Sequence, residues 1–138
     1  MADAKWSSLG SASGNIASTT LNSLGNGSES AVVTYDNSSN KYLYGLVKVK
    51  LGSFTSTTGA SISLRVAAND ATDSDDAATA GDLYAHTLTV GASAKVAIFP
   101  MIRLYPFSLR LSVINNAGAA FASSSNELHV IPYGESIA

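Results

Sequence analysis

Two histidines, His86 and His129, are the only natural general bases near neutral pH in this sequence. His86 shares strand parity with Tyr84, Leu88 and Val90, and His129 with Ile131 and Tyr133. Each is therefore expected on a mostly apolar strand face or at its rim, in a packing or hydrogen-bonding role. With cysteine absent and no carboxylate set at ligand spacing, the pair does not make a zinc centre. The acidic run NDATDSDDAATAGD carries Asp73, Asp75 and Asp76. Calcium needs six to eight oxygens in a defined order. Counted from Asp73, an EF-hand loop would place Ala77 and Ala78 where an acid and a glycine belong. The run is read as a solvated loop that keeps a sheet edge polar, with a weak surface ion site as the minor reading.

Serine is abundant, but G-x-S-x-G and its strand–turn–helix setting are missing. GSASG lacks the lysine and the following helix of a phosphate loop. No catalytic residue, cofactor or metal is expected, and the chain is not read as an enzyme. The aromatic residues offer contact rather than catalysis. Most of the six tyrosines fall on expected strands, where packing explains them. Tyr42 and Tyr44 oppose the parity of Val47 and Val49, so some rings are expected on an outer face, as in protein contacts. Trp6 stands alone in a Ser-rich segment. It either folds back on the core or anchors that segment in a partner.

The elements that hold these residues are short and extended. Periodicity of two marks residues 31–35, 41–51, 61–66, 83–90, 95–99, 107–114 and 127–133 as strands, separated by Gly, Asn, Ser and Asp turns. Residues 16–24 add a weak extended signal, and 117–122 one helical turn. Each alternating strand has one apolar face, so two sheets must cover each other. The expected fold is all-β: an antiparallel β-sandwich, jelly-roll-like, of seven or eight short strands. Connections at 52–60 and 67–82 suit Greek-key crossovers. A flexible arm over 1–15 is expected to precede a single domain over 16–138.

Composition narrows the partners. Only 13% of the 138 residues are charged, the net charge is −2, and the eight basic residues are scattered. An ordinary domain has about 25% charged residues, and a nucleic-acid surface clusters its basic ones. Mean hydropathy is +0.17, yet no run approaches the roughly 18 apolar residues of a span. Neither a nucleic-acid nor a membrane partner is expected. The start MADAKWSSLG shows no basic stretch followed by an apolar one, so no secretory signal is expected, and the sequons at Asn26 and Asn37 are read as chance matches.

One further likeness comes from RLSVINNAGAAF and NELHVIPYGE, preceded by SISLRVAAND and GDLYAHTLTV. Over residues 61–138 the chain resembles the capsid cement or decoration proteins of tailed bacteriophages, small jelly-roll virion proteins. That resemblance implies a non-enzymatic structural protein on the outer surface of the capsid. It would bridge neighbouring major capsid protein subunits and form a small homo-oligomer, a dimer or trimer. None of the shared motifs is a docking motif, so no contact residue carries over. From the residues themselves, the expected partner-binding positions are Trp6, Phe54 in the 52–60 connection, Asp73, Asp75 and Asp76 in the acidic loop, and Tyr133. Alternative readings are a tail, baseplate or fibre module that binds a host receptor, and a free carbohydrate-binding β-sandwich module.

Overall fold

The computed structural model describes residues 4–6, 10–69 and 81–137. They form an all-β antiparallel sandwich. The strands are β1 (Ala4–Trp6), β2 (Val33–Asp36), β3 (Tyr44–Ser56), β4 (Ser61–Asn69), β5 (Asp82–Thr87), β6 (Gly91–Arg103), β7 (Ser108–Asn116), β8 (Glu127–Tyr133) and β9 (Glu135–Ile137). One sheet runs β2-β7-β4-β5 and the other β6-β3-β8, while β1 pairs with β9. Every pairing is antiparallel. Among the described residues no helix is long and apolar enough to cross a membrane.

The alternation in the sequence decides which side chains meet. Successive residues of a strand point to opposite faces, and a sheet with one apolar face must cover it. Val47, Val49 and Leu51 of β3, Phe99 of β6 and Leu128 and Val130 of β8 are buried from one side. Ile62, Leu64 and Val66 of β4 and Leu109, Leu111 and Val113 of β7 are buried from the other, in one shared core. Each such side chain stabilises the fold by about 1.5–3 kcal/mol relative to exposure.

Several boundaries differ from those expected. The 52–60 connection is mostly strand: β3 runs to Ser56 and only residues 57–60 turn, so no long crossover lies there. Strand 95–99 extends to Gly91–Arg103 and passes through Pro100. It can do so because β6 is an edge strand and the β3 register shifts between Gly45 and Val47, opposite Pro100 and Met101. A proline is tolerated at such a bulge on an edge. Residues 117–122 contain no helical turn. Residues 16–24 are turns that tuck Ala17 and Leu21 into the core rather than an extended segment.

Residues 10–15, placed in the arm by the sequence, lie with Ile16 along the free edge of β8. The Gly10, Ser13 and Ile16 amides donate to the carbonyls of Pro132, Val130 and Leu128 at 2.6, 2.8 and 3.0 Å. In return the Val130 and Leu128 amides donate to Ser13 Oγ and Asn15 Oδ1 at 2.8 and 3.0 Å. Side-chain oxygens thus replace backbone carbonyls in half of this ladder, which is why the segment lacks a strand's sequence signature. A Cβ at Gly10 would stand 2.9 Å from the side chains of both Tyr42 and Pro132, so a larger residue would have to displace them.

Three buried asparagines tie the loops. Asn37 Nδ2 donates to the Tyr42 and Tyr105 carbonyls at 2.9 and 2.7 Å, and its Oδ1 accepts the Tyr42 amide. Asn115 Nδ2 holds the carbonyls of Leu24 and Ala119, both at 2.8 Å, and its Oδ1 accepts the Ala117 amide. Asn126 accepts the Gly52 amide and donates to Asn22 Oδ1 and the Ala122 carbonyl. Buried loop backbone needs such partners. Because both amide protons of Asn37 are engaged in the interior, it cannot carry a glycan in the folded protein.

Candidate functional site

The two histidines stand on different sheets. His86 lies on β5 with its ring 6.1 Å from Phe99, edge to face. Its Nδ1 is buried without a hydrogen-bond partner. His129 lies on the outer face of β8, with Nδ1 3.0 Å from the Ser13 carbonyl and Nε2 3.7 Å from Glu127 Oε1. Ser13 Oγ is engaged with Gly14 O and the Val130 amide, so no hydroxyl is presented to the imidazole. Among the described residues no group of three or more His, Cys, Asp or Glu side chains could hold a metal ion.

The tyrosines converge instead. Tyr44 and Tyr133, opposite one another in the β3–β8 ladder, stack on the outer face at 5.8 Å. Tyr133 Oη donates to the Pro100 carbonyl at 2.7 Å. Tyr105 and Phe107, in the link between β6 and β7, stack at 5.9 Å with an interplanar angle of 12°. Asn37 joins the Tyr42 and Tyr105 backbones, and Tyr42 lies within electrostatic range of the Tyr35 phenol. Tyr84 reaches the same region, where the Arg103 backbone hydrogen-bonds its phenol and Tyr105 lies within electrostatic range. All six tyrosines therefore gather at one end of the sandwich. Exposed Leu43, Met101 and Phe107 stand beside them. The opposite end is made of the Ser-, Thr- and Gly-rich turns 25–28, 57–60 and 117–118.

The aromatic end is flanked by the exposed charged residues Asp36, Lys41, Asp82 and Arg103. Burial, then the neighbouring Tyr42 and Asp36, raise the Tyr35 phenol above its usual value. Burial and Asp82 raise Tyr84, opposed by the Arg103 backbone, and burial with Tyr44 raises Tyr133. These rings stay neutral phenols throughout the physiological range. Tyrosines of this kind give large, rigid contact area with a polar tip, the composition of a protein–protein contact core.

The expected contact residues are dispersed. Tyr133 belongs to the aromatic end. Trp6 stands opposite Glu135 in the β1–β9 pair. Phe54 is in β3, half-buried, with its ring 5.4 Å from Phe121 and Lys95 Nζ 4.6 Å above it. Asp73, Asp75 and Asp76 fall outside the described residues. The exposed Leu43 and Phe107 and the stacked Tyr105 at this end were not singled out from the sequence. The Tyr-Pro-Phe run at 105–107, which must leave the β ladder at Pro106, was the available signal.

A polar cleft of ≈ 550 Å³ lies between Asn15, Asn22, Lys50, Gly52, Ser125 and Glu127. No aromatic ring lines it, and the Asn15 and Asn126 side chains on its wall are used in holding loops. Comparison with family models, with curated proteins and with solved structures finds no match for this chain.

Proposed function

We propose that this chain is a non-enzymatic structural virion protein. It binds the outside of a bacteriophage head through its aromatic end and stabilises contacts between major capsid protein subunits. The observation that carries the reading is one end of the sandwich where Leu43, Met101 and Phe107 are exposed beside the stacked, half-buried Tyr44–Tyr133 pair and the half-buried Tyr105, while Tyr35, Tyr42, Tyr84 and Tyr105 pack against the core. Such a surface suits docking on a protein lattice, where many modest contacts sum by avidity. The strand order also supports the resemblance. Counting residues 10–16 as the strand beside β8, the pairs are 10–16 with β8, β2 with β7, β3 with β6, and β4 with β5. They alternate between the sheets, as when one long antiparallel hairpin is rolled on itself. This is the wrapping of a jelly roll, and we infer that fold. The polar cleft, without a stacking ring, gives the carbohydrate-binding alternative no support.

The test is labelled-antibody electron microscopy on particles from the source lysate. Label spread over heads is the expected result. Label on tails would move the reading to a receptor-binding module, and unlabelled particles would overturn it. On heads stripped of the protein, Tyr133→Ala with Phe107→Ala should weaken rebinding by tenfold or more, an order set by losing two aromatic anchors.

A further inference from the structure

The two flanks of the sandwich are built differently. On one flank, β2 is a four-residue edge strand ending in exposed Asp36, and residues 10–16 cover β8. Short strands, charges and covering segments are how proteins protect sheet edges from other chains. On the other flank, β6 is a 13-residue edge strand with no partner strand beyond it among the described residues. Its run VAIFPMI, residues 96–102, has no charge and is apolar at both parities, the pattern of a strand covered on both faces. Yet Val96, Ile98 and Met101 are 45%, 41% and 52% exposed, and Leu83 of the adjacent β5 is 57% exposed.

The one lysine of β6 does not guard this edge. Lys95 is 4% exposed, and its ammonium donates to the carbonyls of Phe54, Gly91 and Ser93 at 3.0, 2.7 and 2.9 Å. The side chains directed outward from Ala92 to Ile98 are Ala92, Ala94, Val96 and Ile98, all uncharged.

We propose that a second copy of this chain pairs antiparallel with β6, joining two three-stranded sheets into one six-stranded sheet across a twofold axis. Self-pairing fits this edge electrostatically. The longest unbroken run of the β3–β6 register covers residues 95–99, between its two shifts. A twofold axis at Ala97 sets Val96 against the partner's Ile98 on the outer face, twice, with no like charges opposed. The nearest outward cations, Lys48 and Lys50 of β3, stand beside Ile98 and Val96. Across the dimer they are three strand spacings apart, about 14 Å, beyond the screening length of about 8 Å at physiological salt. Lys50 is also paired with Glu127 at 3.3 Å. A net charge of −2 per chain adds little repulsion. An isologous contact of this kind closes at two copies, and its short ladder makes it weaker than a standard interface, which buries about 800 Å² per partner. The proposal does not rest on head binding.

Sedimentation equilibrium between about 1 and 300 µM, the range of a weak contact, tests it. The wild-type mass should rise from 14.1 kDa towards twice that value. Ile98→Lys should remain monomeric at the highest concentration, and Thr34→Lys on the opposite flank should associate like the wild type. A wild type monomeric throughout, a mass beyond the dimer, or an Ile98→Lys variant that still dimerises would each overturn the proposal. Should Ile98→Lys fail to fold, wild-type amide exchange decides. Protection at residues 95–99 should rise with concentration, and exchange independent of concentration would overturn it.

Discussion

At the scale of single residues, the polar side chains that matter most are buried. Asn37 is 1% exposed and makes three hydrogen bonds across the aromatic end. Removing its side chain leaves two carbonyls and an amide without partners in the interior, where each orphaned group costs about 1–3 kcal/mol. Asn37→Ala should therefore lower the unfolding free energy by about 2–4 kcal/mol in urea titration, partial relaxation included. Asn26, exposed and holding one amide, that of Gly118, should cost less than about 1 kcal/mol as Asn26→Ala. In the sequence both residues are members of similar polar turns. The distinction lies in what closes over Asn37: the strand link at Tyr105, 68 positions away.

At the scale of elements, the aromatic end couples proton binding to folding. Tyr35, Tyr84 and Tyr133 hold their protons above the usual value of 10.0, chiefly through burial. Between 10.0 and the raised values the folded chain binds more protons than the unfolded one. Their stabilisation is thus complete below pH 10 and is lost as the pH climbs through the folded values. Lys95 works in the opposite sense: burial lowers its pKa from 10.5, so its share of stability grows as the pH rises towards that value. Three phenols outweigh one ammonium, so the urea midpoint should hold to about pH 10 and fall beyond it. Tyrosinate absorbance should show a late-titrating fraction in the folded chain. A midpoint that rises beyond pH 10 would mean that Lys95 dominates.

For the whole molecule, the low charge bears on the proposed docking. With 13% charged residues, docking in the proposed mode would depend on apolar burial more than on ion pairs. Affinity for heads should change by less than about threefold between roughly 0.05 and 0.5 M salt, where surface ion pairs are strongly screened. Rebinding measured across that range checks it, and a loss of tenfold or more would point to the charged outer face around Lys48 and Lys50. The wrapped pairing also links residues far apart, as in the bond from Ile16 to Leu128. Such non-local ladders fold slowly, on the millisecond-to-second scale.

The sequence by itself determined the all-β class, the positions of most strands and which of their faces point inward. These follow from a two-residue period and from turn chemistry, both local. The inward set Val47, Val49, Leu51, Ile62, Leu64 and Val66 was legible for that reason. Only the tertiary structure decided that Phe54 lies within a strand beneath Lys95, that Ser13 and Asn15 stand in for backbone along β8, and that six scattered tyrosines meet at one end. Those outcomes depend on which strands pair and in what register. A local pattern leaves that open, because every apolar face fits every other until the loops and buried asparagines fix the order.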